Sequence, residues 1–86
     1  MEKAGLTLRW HRNGCYRATM DANRFAQFIR CRYYDSPRWG ESVKDDATGK
    51  FWRVEIRNTD DGSMIRSAGV WTSLHGAASE VRGLIP

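Results

Sequence analysis

Residues 51–71 read F-W-R-V-E-I-R-N-T-D-D-G-S-M-I-R-S-A-G-V-W. Trp52, Val54 and Ile56 alternate with Arg53, Glu55 and Arg57, the period of a half-buried strand. Asp60-Asp61-Gly62 is turn chemistry, since glycine takes positive φ and aspartate bonds its own backbone. A second strand returns to Trp71. A four-residue loop, Thr59 to Gly62, sets Ile56 against Ile65 on the inner side and Glu55 against Arg66 on the outer. Phe51 then lies near Val70. Beyond Trp71, Thr72 or Ser73 caps a helix with Leu74, Ala77, Ala78, Val81 and Leu84 on one side.

The N-terminal half follows a similar pattern. Residues 1–5 are expected to fray. Leu6, Leu8 and Trp10 alternate with polar residues, Asn13-Gly14 turns the chain, and Tyr16, Ala18 and Met20 alternate on the return. A three-residue loop, Arg12 to Gly14, pairs Leu6 with Met20, Leu8 with Ala18 and Trp10 with Tyr16, so all six share one face. The other face then sets His11 opposite Cys15 and Arg9 directly opposite Arg17, a repulsion that a carboxylate, a bound anion or, more simply, splaying of the two solvated side chains relieves. Asp21 is expected to cap a helix with Ala22, Phe25, Ala26, Phe28 and Ile29 in its stripe and Tyr33 near its end. Ser36-Pro37 stops it. Residues 35–49 read as a connection anchored by Trp39 and Val43, with a short strand over 39–44 as the alternative.

These elements predict one domain over residues 1–86. It is an α+β two-layer ββαββα fold: a four-stranded antiparallel sheet with two helices on one face. The halves, 6–34 and 50–85, form a pseudo-repeat of hairpin plus helix. The opposite sheet face is expected to be open and to carry Arg9, Arg17, Arg53, Arg57 and Arg66.

Composition narrows the function classes. The chain has 86 residues and a formal charge of +4. Its basic residues are mostly arginine, whose planar fork pairs with phosphate. No apolar run reaches the roughly 20 residues of a membrane span, and nothing after Met1 reads as a signal peptide. A cytoplasmic protein with free Cys15 and Cys31 is the expectation. His11, Cys15, Cys31 and His75 lack zinc-site spacing. No Walker sequence, oriented nucleophile or working carboxylate pair is present. No enzyme, metal or cofactor is expected. Tyr34, Trp39 and Phe51 are candidates for base stacking.

Residues 49–84 carry a resemblance. G-K-F-W-R-V-E-I, an acidic turn and A-G-V-W-T-S-L-H-G-A-A-S-E-V resemble the strand–strand–helix pattern of the plant ethylene-response-factor DNA-binding domain and of the N-terminal arm-binding domain of some phage integrases. The segment is also similar to a small bacterial family of unknown function built from tandem strand–strand–helix units. The DNA-binding resemblance implies a sheet that enters the major groove, with Arg53, Arg57 and Arg66 at contact positions. Glu55 departs from that pattern, standing where a basic row is wanted. The expected function is a basic module that binds DNA, RNA or a nucleoprotein through its arginine face. The alternatives are an inhibitor that docks on a host defence protein, of the kind phage and mobile elements encode (anti-CRISPR inhibitors among them), and a structural homodimer.

Overall fold

A computed structural model describes residues 1–36 and 40–86. The strands are β1 (Glu2–Lys3), β2 (Leu6–Thr7), β3 (Arg9–Arg12), β4 (Cys15–Thr19), β5 (Arg24–Ser36), β6 (Gly40–Asp45), β7 (Phe51–Asn58) and β8 (Met64–Trp71), followed by α1 (Leu74–Gly83). β1 and β2 pair with each other; the other six form one antiparallel sheet. Its order is β3-β4-β5-β7-β8, and β6 pairs with the far part of β5. The expected ββαββα architecture is therefore wrong: among the described residues there is one helix, and the chain is mostly strand.

The decisive difference is β5, which occupies the stretch expected to form the first helix. Phe25, Gln27, Ile29 and Cys31 alternate with Ala26, Phe28 and Arg30, and all but Phe25 and Arg30 are buried. A central strand buried on both faces reads as a continuous apolar run, which periodicity alone does not separate from a helix. Asp21 adds to the ambiguity. Its Oδ1 accepts the backbone N–H groups of Asn23 (2.8 Å) and Arg24 (2.9 Å), and its Oδ2 accepts from Arg24 Nε. These are the bonds of a helix cap, but here they close the β4–β5 turn. With a strand in that place, the two halves do not share a plan and the pseudo-repeat fails.

Residues 1–5 are not a loose end: β1 and β2 are joined by Ala4 and Gly5, both at positive φ. Over 35–49 the alternative holds and not the plain connection: β6 is a strand close to the 39–44 expected, and it runs antiparallel to residues 31–36. Trp39 lies outside the described residues. The β3–β4 turn tip abuts the chain just after β6, and a Cβ on Gly14 would meet Ala47 Cα at 2.9 Å. β4 and β6 thus follow one another along the same edge of β5.

Both hairpin registers carry bulges. Arg9 pairs with Arg17 and Trp10 with Tyr16, as expected, but Arg12 pairs with Cys15. The turn is the two-residue Asn13-Gly14, with His11 as the extra residue. In the second hairpin the four-residue turn stands: Asn58 N–H donates to Ser63 O at 2.9 Å, and Arg57 pairs with Met64. Ile65 is then skipped, so Ile56 faces Arg66 and Glu55 faces Ser67. A second slip at Ala68-Gly69 brings Arg53 opposite Val70 and Trp52 opposite Trp71. Gly69 takes φ 93°, which a bulge asks of glycine.

The core lies between α1 and one sheet face. Leu6, Leu8, Ala18, Met20, Ala26, Phe28, Val54 and Ile56 meet Ala77, Ala78 and Val81. Small residues on α1 let the helix sit close to the sheet. Ser73 caps it, its Oγ accepting the Gly76 N–H at 3.0 Å. Ser73→Ala is expected to cost about 1 kcal/mol, seen as a thermal midpoint lower by roughly 4–8 °C. An unshifted midpoint would show that the cap contributes nothing.

Candidate functional site

Strand alternation and pairing decide which arginines share a face. One row across the sheet reads Arg9, Arg17, Gln27, Glu55, Ser67. The neighbouring rows read Cys15, Ile29, Arg53, Val70, and Thr19, Phe25, Arg57, Met64. Arg9, Arg17, Arg53 and Arg57 therefore stand together on the face turned away from α1. Arg66 does not join them: the Ile65 bulge puts it opposite Ile56, on the helix side.

The face is organised around an acid. Glu55 is 3% exposed. Its Oε1 accepts from Arg57 Nε at 3.0 Å and from Gln27 Nε2 at 3.1 Å, and its Oε2 accepts from Arg53 Nη1. Arg53 Nη2 reaches Asp45 of β6 at 2.6 Å, and Arg57 Nη1 donates to Gly62 O at 2.6 Å. Arg53 starts on β7 and ends on β6, so its stem lies across β5, where Ile29 and Cys31 are buried. Burial pushes the Glu55 carboxyl up. The Arg57 hydrogen bond and the charges of Arg53 and Arg57 outweigh it and hold the group below the usual carboxylate range.

Arg9 and Arg17 are placed differently. Arg9 Nη2 donates to Thr19 Oγ1 at 3.3 Å; Arg17 Nε donates to Gln27 Oε1 at 2.8 Å and its guanidinium lies 4.9 Å from the Phe25 ring centre. These partners are neutral. Among the described residues, no carboxylate lies within ion-pair distance of Arg9, Arg12 or Arg17. Slight desolvation, then the charges of Arg17 and Arg12, hold His11 below its ordinary value. Three cations without an acid partner thus stand close together at the β3 edge. There Trp10 is 69% exposed, although its alternation with Leu6 and Leu8 predicts a core position.

The stacking candidates fare unevenly. Phe51 packs edge-on against Tyr33, with centroids 4.8 Å apart. Trp39 and the Tyr34 side chain lie outside the described residues. Comparison with protein-family models, characterised proteins and solved structures finds no match to this chain. Cys15 and Cys31 are buried free thiols, and burial raises both above the ordinary thiol value. Among the described residues no group of His, Cys, Asp and Glu is placed to hold a metal ion. No helix there is long and apolar enough to cross a membrane.

Proposed function

We propose that the chain is a small, basic, non-enzymatic module that binds nucleic acid, alone or in a nucleoprotein, at the β3–β4 end of its arginine face. The observation that carries this reading is the Arg9–Arg17 pair. Two like charges opposed across a ladder cost stability, and among the described residues no acid pairs with either. A phosphate placed between the two forks removes that repulsion and gains charge-assisted hydrogen bonds. Arg12 adds a third unpaired cation. Arg53 and Arg57, contact positions by the resemblance, are given a supporting role, because Glu55 and Asp45 already engage them.

Binding of labelled DNA and RNA, single- and double-stranded, across a salt series tests the reading. The logarithm of the affinity is expected to fall linearly with the logarithm of salt concentration. Replacing Arg9 and Arg17 together by alanine is expected to reduce that slope by about 2, roughly one per phosphate contact. A slope unchanged in the double variant counts against it, as does binding indifferent to salt. The competing reading, an inhibitor docked on a protein, draws support from the exposed Met64 and Ile65 on β8. Nuclease treatment separates the two, since only a protein complex survives it.

A further inference from the structure

Trp10 stands between two clefts. On one side it adjoins Arg9, His11 and Arg17. On the other it forms part of the wall of a cleft of about 320 Å³, together with Lys3, Asn13, Tyr16, Arg30 and Trp52. That second cleft is aromatic and cationic. Tyr16 and Trp52 have ring centres 6.0 Å apart. The Arg30 guanidinium lies 5.6 Å from the Trp52 ring centre and is fixed by its Nε bond to Gly49 O at 3.1 Å. Among the described residues no carboxylate lines the cleft.

An indole 69% exposed gives up most of the burial that makes tryptophan useful to a core. Its position on an edge strand, one residue from Arg9 and two from Arg12, gives it another use. Flat apolar walls with cations at the rim suit a nucleobase, whose face stacks on aromatic rings whatever the base. A nucleotide carries its base at one end and its phosphate at the other, so it can straddle a single edge strand. Resting on the nucleic-acid reading above, we infer that the Trp10 cleft takes one unpaired base of a single-stranded nucleic acid, whose backbone crosses β3 onto Arg9 and Arg17. A duplex keeps its bases stacked and paired, and presents such a base only after flipping it out.

Affinities of the wild type, Trp10→Ala, Trp10→Phe and the Arg9/Arg17 double variant for a mixed-sequence single strand and its duplex test the inference. Trp10→Ala is expected to weaken single-strand binding by roughly 5- to 150-fold, the span of one base–aromatic stack. Its duplex binding and salt slope stay as in the wild type. Trp10→Phe keeps most of the affinity. Because the side chain is exposed, both variants are expected to keep the wild-type melting midpoint. An unchanged single-strand affinity in Trp10→Ala, or an equal loss on duplex, overturns the inference. If binding persists and loses slope in the double variant yet ignores Trp10, the base site alone falls. If the wild type binds neither strand form at any salt, the basic-patch reading falls with it.

Discussion

Glu55→Ala is expected to destabilise the protein by about 3 kcal/mol. Removing one partner of a buried ion pair costs roughly 3–5 kcal/mol, because the other partner stays in a low dielectric without its counter-charge. The low end applies, since the Arg53 and Arg57 side chains retain 27% exposure and so some access to water. Gln27 also loses its acceptor. Glu55→Gln, which keeps the shape and one acceptor oxygen, is expected to cost less. Urea unfolding near neutral pH measures both; a Glu55→Ala midpoint equal to the wild type would refute the role given to this acid.

Acid should report the same network. The folded pKa of Glu55 lies below its unfolded value. Its contribution is therefore complete above the unfolded pKa and is lost as pH falls through the folded one. Asp21, Asp46 and Asp61, held down chiefly by hydrogen bonds, shift in the same direction. The wild type is expected to lose stability as pH drops below the ordinary carboxylate range, and Glu55→Gln to lose less over that interval. Parallel acid limbs in the two proteins would contradict this.

Gly49→Ala is expected to cost about 3 kcal/mol or more, in the upper part of the overpacking range. A Cβ there would lie 2.1 Å from the Cys31 carbonyl oxygen and 2.5 Å from its carbon. Both are backbone atoms, and Cys31 is paired with Asp45 on one side and Phe51 on the other, so the strand has little room to yield. The turn is closed by the Gly49 N–H donating to Asp46 O at 2.9 Å. Gly83→Ala is the matched control, because nothing lies within 4 Å of that position. Similar melting midpoints for the two variants would mean that the β6–β7 turn does not press on β5 as described.

The parts legible in the sequence were those where one face is wet. β3, β4 and β7 alternate, so their arginines could be assigned to a common side before any coordinates. Ser73 and the Ala77/Ala78/Val81 stripe marked α1 in the same way. β5 was hidden because both of its faces are covered, and because Asp21 uses the same two N–H bonds in a hairpin turn as at a helix start. Bulges leave little trace in a sequence: skipping Ile65 was enough to move Arg66 to the other side of the sheet. Glu55 was visible only as an interruption of a basic row; its burial depends on Arg53 crossing β5 to β6, which the sequence offers only as the alternative to a connecting loop. Alternation gives Trp10 a core position because it tells which side a residue takes, and not whether anything covers that side at a sheet edge; Trp10 is 69% exposed.

The two slips in β8 bear on how the molecule behaves in company. β8 is the outermost strand beyond β7, with Ile65 48% exposed, a combination that invites another chain to add itself alongside. An incoming strand needs donors and acceptors at regular intervals. Here the rhythm breaks after Met64 and again around Gly69, so an unbroken run of matching groups spans only a few residues. The rim is thus poorly suited to templating fibrils, even though Met64 and Ile65 leave apolar surface on it.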